Sequence, residues 1–234
     1  MFRSTDRGER KSPLSILAFF VRILVLVILV GLGLLVLLEK ATTGNPLNFL
    51  GAKNPRVGLI AGHWQNDSGA VCPDGLEEVE LNLQIARAVA QIMRRQGYQV
   101  EVLAEFSPKL NDYRAAVLLA IHCDSCLEDL SGFKIARMTH SAVPEEEDRL
   151  VSTLYKTYSE ATGLQPHYNT ITDDMREYHA LRQIADETPG AIIECGFMGG
   201  DRYILTEEQD RVAVGIANGL LAFLRETAEA TPQQ

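Results

Sequence analysis

The stretch LSILAFFVRILVLVILVGLGLLVLL, residues 14–38, carries one charge, Arg22, and runs uninterrupted by polar residues from Ile23 to Leu38. As a helix rising 1.5 Å per residue it is long enough for the ~30 Å hydrocarbon layer of a bilayer. A cleaved signal peptide is the competing reading, but its apolar region is shorter and ends at a small-residue cleavage site, whereas Glu39 and Lys40 follow directly here. The expectation is therefore an uncleaved transmembrane anchor. Arg3, Arg7, Arg10 and Lys11 precede it and only Lys40 and Lys53 lie close after it, which places the N-terminus in the cytoplasm and the rest of the chain outside. That compartment permits disulfides.

Beyond the anchor the chain reads as one ordinary globular unit. A net charge of −9 argues against general nucleic-acid binding, which needs a basic surface. Four cysteines are too few for a disulfide scaffold, so apolar burial must hold the core. The expected organisation is a cytoplasmic segment 1–13, the anchor 14–38, a polar linker 39–55, an outward domain 56–226 and a polar tail 227–234.

Within that domain short apolar runs alternate with amphipathic stretches. VGLIAG (57–62), YQVEVL (98–103), AVLLAIHC (116–123), FKIARM (133–138) and AIIECGF (191–197) read as strands. Helical spacing groups Leu81, Ile85, Val89 and Ile92, then Leu150, Leu154 and Tyr158, and finally Val212, Ile216, Leu220 and Phe223; a further helix is expected near Met175–Ile184. The alternation predicts an α/β domain with a mostly parallel twisted sheet flanked by helices.

Ligands of open α/β sheets bind beyond the carboxyl ends of the strands. His63 closes VGLIAG, His122 closes AVLLAI and Glu194 closes AII. One histidine at a strand end is usually a hydrogen-bonded structural residue, but three polar residues in the same topological place are not explained that way. Glu77 and Glu78 precede Leu81 by four and three residues, so both lie near the sheet-facing side of the first helix, while Glu80 points away. The helix dipole alone explains an exposed acid in a first turn; an inward-facing one needs a cation. Two histidines and a carboxylate form a catalytic zinc ligand set, and a second carboxylate can serve as general base.

Four blocks of the sequence resemble the zinc-dependent N-acetylmuramoyl-L-alanine amidases, the catalytic-domain family of bacterial cell-wall hydrolases, over about residues 56–225. GHWQNDSGA matches the family's Gly-His followed by Asp-x-Gly-Ala, and EVELNLQIA places Glu78 eight residues before Ala86, as the family's ligand glutamate stands. DYRAAVLLAIHCDS resembles the apolar strand ending in Ile-His, and PGAIIECGFMGGDRYIL the Val-Glu-x-Gly-Phe block. The chain departs from the family at Ile60-Ala61, at Trp64-Gln65, at Cys123-Asp124 and at Gly199-Gly200. The resemblance implies one catalytic Zn²⁺ held by His63, Glu78 and His122, with Glu194 as catalytic acid and base. It also implies peptidoglycan as substrate, cut between N-acetylmuramic acid and L-alanine; with the apolar run 14–38 read as an anchor, the expectation is a zinc amidase tethered to the cell membrane. The alternative is a noncatalytic cell-wall-binding or regulatory protein that keeps the fold. Nothing in the sequence names a protein activator.

The remaining polar features read more simply. Cys123-x-x-Cys126 directly follows a candidate ligand and has no second pair, which argues against redox chemistry; a structural disulfide of Cys126 with either Cys72 or Cys123 stays open. Cys195 faces away from Glu194 and reads as a buried thiol. His140, His167 and His179 fall outside the four blocks, the acidic run Glu145–Asp148 suits the start of a helix, and Asp201 suits a loop hydrogen bond.

Overall fold

The computed structural model describes residues 55–230. The apolar run 14–38, the linker to residue 54 and the last four residues lie outside them. Among the described residues no helix is long and apolar enough to cross a membrane.

Five strands form one sheet: β1 (Arg56–Ala61), β2 (Gln99–Leu103), β3 (Val117–Asp124), β4 (Lys134–Ala136) and β5 (Gly190–Phe197). Their spatial order is β2-β1-β3-β5-β4, with every pairing parallel except the antiparallel edge strand β4 on β5. The helices are α1 (Glu78–Arg95), α2 (Pro144–Thr162), the single turn α3 (Asp173–Arg176), α4 (Arg202–Thr206) and α5 (Gln209–Ala230).

Side chains alternate across each strand, and the two faces of this sheet are covered differently. On one face Val57, Leu59, Val117, Leu119, Ile121, Ala191 and Ile193 pack against the apolar stripes of α1, α2 and α5. The helical spacing expected from the sequence is realised there by Ile85, Leu150, Leu154, Tyr158, Val212, Ile216, Leu220 and Phe223, all wholly buried, whereas Ile92 is only partly buried at the edge of that cluster. On the other face Ile60, Leu118, Ala120 and Ile192 meet Leu103 at the end of β2 and Leu110, Tyr113, Met175, Tyr178 and Leu181, from the short helices and turns that connect β2 to β3 and α2 to β5.

Those turns correct the expected helix at Met175–Ile184, since only Asp173–Arg176 is helical. Backbone groups that a helix would use internally are spent elsewhere: the Gln183 carbonyl accepts from Asp112 N–H, and Ala185 N–H donates to the Tyr113 carbonyl. The strands expected at 116–123 and 191–197 are realised to within one residue at each end: β3 and β5 run past His122 and Glu194 to Asp124 and Phe197, because Cys123, Cys195 and Phe197 go on packing in the interior. The acidic run opens α2 as expected, and within it Glu147 is buried and accepts a hydrogen bond from Gly190 N–H at 3.0 Å.

Cys72 and Cys126 form a disulfide, which resolves the choice of partner, and Cys123 and Cys195 are buried free thiols. Asp201 accepts hydrogen bonds from Ser131 Oγ, Gly132 N–H and Phe197 N–H, a loop-fixing role.

Candidate metal centre

At the carboxyl edge of the sheet, on the face that helices leave open, three of the sequence-selected residues converge. One nitrogen or oxygen from each of His63, Glu78 and His122 lies within 4.8 Å of the others. Glu78 Oε1 is the hub, 3.3 Å from His63 Nε2 and 3.1 Å from His122 Nδ1. Donors bound at zinc distances on a tetrahedron stand about 3.3 Å apart, so the donor set matches a zinc site in chemistry and in its central spacings.

The local sequence explains the convergence. β1 ends at Ala61, and the chain turns through His63 with φ of 65°, a left-handed conformation uncommon outside glycine. Gly62 precedes it because a Cβ there would lie 2.4 Å from the His122 ring. Asp67, four residues on, accepts from His63 Nδ1 at 2.5 Å, which turns Nε2 toward Glu78. At Gly69 a Cβ would stand 2.6 Å from Glu78 Oε2, and the next residue, Ala70, donates its N–H to that oxygen at 3.0 Å. Asn82, one helical turn after Glu78, donates from Nδ2 to Glu78 Oε1 and to the Gly62 carbonyl, both at 3.1 Å. Gly62, Asp67, Gly69, Ala70 and Asn82 thus act together to place three donor atoms.

Electrostatics follow from the same contacts. The Glu78 hydrogen bond, opposed by burial, raises His63 to about 9. Burial works against ionisation of Glu78, but the hydrogen bonds from His122 and His63 outweigh it and hold the carboxyl well below its usual range. His122 is held above its ordinary value although burial opposes this, because Glu78, Glu194 and Glu105 face it. A buried carboxylate between two imidazoles is the charge pattern a divalent cation would complete.

The family model for N-acetylmuramoyl-L-alanine amidase matches residues 57–222, most of the chain and nearly all of its described part. The chain belongs to that amidase family. Amide hydrolase is accordingly its enzyme type, and the blocks that resemble the amidases are the segments that build this site. Solved structures agree in fold. The N-acetylmuramoyl-L-alanine amidase AmiC2 of Nostoc punctiforme is 23% identical with a TM-score of 0.60, over 75% of this chain and 99% of that one. An N-acetylmuramoyl-L-alanine amidase of Clostridium difficile 630 is also 23% identical at a TM-score of 0.60, over 74% and 98%. The CwlD amidase of Clostridioides difficile, solved with the GerS lipoprotein, is 16% identical at 0.60, over 74% and 100%. No curated protein sequence matches the chain.

Glu194 lies beside this cluster. Its Cα pairs with that of His122 across the β3–β5 ladder and with that of Lys134 across β5–β4, so the three side chains form a row on one sheet face. Glu194 Oε2 is shielded from solvent and has no hydrogen-bond partner. Burial, reinforced by Glu78 and Asp124 and opposed by His122 and Lys134, pushes the carboxyl up to about 7. Lys134 itself is buried, donates to Asp124 Oδ2 at 2.5 Å and to Thr170 Oγ1 at 3.2 Å, and sits over the Phe197 ring.

Three histidines stay outside the cluster, as the sequence suggested. His140 is exposed, His167 Nδ1 meets Thr170 Oγ1, and His179 Nε2 meets Glu105 Oε1 at 2.7 Å. Sequence reasoning missed Asp67, Asn82, Lys134, Glu105 and Tyr178. Asp67 and Asn82 were legible as residues four positions after a candidate ligand; Glu105 and Tyr178 carry no local signal.

Proposed function

We propose that the domain hydrolyses the amide joining N-acetylmuramic acid to the L-alanine of the stem peptide in peptidoglycan, using one Zn²⁺ held by His63, Glu78 and His122. The observation that carries this is the three-donor cluster with Glu194 in register beside His122. The orphaned Glu194 Oε2 also fits a group kept free for a reactant. When bound, the metal would supply Lewis-acid chemistry, polarising the scissile carbonyl and activating water.

The chain's own residues do the remaining work. Glu194 takes a proton from the attacking water and returns it to the leaving L-alanine nitrogen as the C–N bond breaks and a C–O bond forms. The products are a carboxylate on the muramic-acid lactyl group and a free α-amine. Asp67 holds His63 in one tautomer, with Nε2 turned inward. Asn82 and the Ala70 N–H keep the Glu78 carboxylate from rotating.

The enzyme is proposed to act outside the cytoplasm, tethered by residues 14–38. The Cys72–Cys126 disulfide supports that side of the membrane, since such bonds persist in oxidising compartments. Protease added outside intact cells is expected to remove the C-terminal domain and leave a membrane-held N-terminal fragment.

The activity is tested by mass spectrometry of peptidoglycan digested with the zinc-loaded full-length chain. New L-alanine amino termini on the stem peptides are expected. New amines elsewhere in the stem would instead make the protein a peptidase. His63→Ala and His122→Ala are expected to lose most bound zinc, while His140→Ala keeps it.

A further inference from the structure

We infer that Glu105 is the positioning residue that locks both candidate zinc-ligand histidines into ligating geometry from the side away from Glu78. This deepens the zinc reading above and rests on it. Glu105 lies two residues beyond β2 and is buried. Its Oε2 accepts the backbone N–H of His63 at 2.9 Å and stands 3.6 Å from His122 Nε2. Its Oε1 accepts the Tyr178 hydroxyl at 2.6 Å and meets His179 Nε2 at 2.7 Å. The Tyr178 oxygen in turn lies 3.2 Å from His122 Nε2.

These contacts have a direction. Tyr178 Oη–H donates to Glu105, so its lone pairs are left to accept the Nε2–H of His122. With the Nε2 proton held there, Nδ1, which faces Glu78 Oε1 at 3.1 Å, is the nitrogen whose lone pair would ligate the metal once the ion replaces that hydrogen bond. The other oxygen of the same carboxylate pins the His63 backbone in its left-handed conformation. A non-glycine residue at such a φ costs energy and persists only where neighbours over-determine it. One carboxylate therefore ties the β1 turn, β3 and the 177–185 segment around a single site. His179 completes the acceptor's partners and is itself held by a stacked Phe106 ring, with centroids 4.3 Å apart.

The decisive measurement is zinc affinity of the full-length protein by competition with a chelating dye, alongside thermal unfolding without metal. Glu105→Gln keeps the size of the side chain but sets an amide among three donors. It is expected to bind zinc about 10- to 100-fold more weakly, the usual cost of losing a partner behind a metal ligand. Tyr178→Phe removes only the hydroxyl relay and is expected to weaken binding about 10-fold while melting close to the parent; it decides the matter if Glu105→Gln fails to fold. Glu101→Gln, a β2 carboxylate bonded to Tyr113 and Lys109, is the control and should bind zinc as the parent does. Parent-like affinity in both Glu105→Gln and Tyr178→Phe, with zinc lost in His63→Ala, overturns this inference and leaves the metal site standing. A parent protein that binds no zinc overturns both.

Discussion

His122 and Glu194 are cross-strand partners: their Cα positions pair in the parallel β3–β5 ladder, immediately before the register shift that separates His122 from Asp124. Adjacent strands stand about 4.8 Å apart, so the backbone, rather than a flexible loop, sets the distance between a candidate ligand and the candidate base. Glu78 reaches the same point from the first turn of α1, and His63 from the turn after β1. Only His63 depends on irregular backbone, and it is there that the supporting contacts from Asp67 and Glu105 accumulate.

The glycine before His63 tests that arrangement. A methyl at Gly62 would fall within 2.5 Å of three atoms of the His122 ring, which must move to admit it. Gly62→Ala is expected to lower stability by about 1–3 kcal/mol and to reduce zinc content. Denaturant unfolding with metal analysis checks both. Retention of full zinc stoichiometry would show that the ring has room to yield.

The disulfide is expected to matter for stability. Cys72 and Cys126 are 54 residues apart, and closing a loop of that length in the unfolded chain stabilises the fold by about 2–4 kcal/mol. Cys126→Ser, or treatment with dithiothreitol, should lower the melting temperature accordingly. The bond also anchors the loop that carries Gly69 and Ala70, which contact Glu78, so zinc should exchange faster from the reduced protein.

Glu147 gives the protein a pH-dependent weakness. Burial, partly offset by the Gly190 N–H bond and by Arg137 and reinforced by Asp148, holds its carboxyl above the ordinary value of 4.5, and its Oε2 has no partner. The folded state therefore keeps this proton to higher pH than the unfolded state does. Its contribution favours folding below about pH 4.5 and is lost as pH rises through the raised value. Glu147→Gln, which can still accept from Gly190, should match the parent near pH 4 and gain stability relative to it at pH 7 to 8. Parallel denaturation curves at both pH values would contradict this.

Much of the site was legible because its residues sit at strand and helix positions with fixed periodicity. Their places at the ends of apolar strands singled out His122 and Glu194, alternation along the strand put Cys195 on the opposite face from Glu194, and the helical spacing from Leu81 turned Glu78 inward. Glu105 and Tyr178 were not legible, because they meet His63 and His122 across 42 and 56 residues of sequence, and Lys134 was not, because it joins the row only through the pairing of an edge strand with β5. The 177–185 segment misled for a related reason. Its apolar residues have near-helical spacing, but its backbone makes short turns of its own and bonds from Gln183 and Ala185 to Asp112 and Tyr113 of another loop, a tertiary choice that local pattern does not encode.

Replacement of Glu194 by glutamine separates metal binding from chemistry more directly than any other change. Glu194→Gln keeps size and shape but removes the basic carboxylate, and a general acid and base typically contributes on the order of 10²- to 10⁴-fold in rate. Zinc content and peptidoglycan hydrolysis should be measured on the same full-length preparation. Parent-like zinc with hydrolysis reduced by at least about 100-fold is the expected result. Hydrolysis near the parent rate would contradict the role of Glu194, and loss of zinc would make it a ligand.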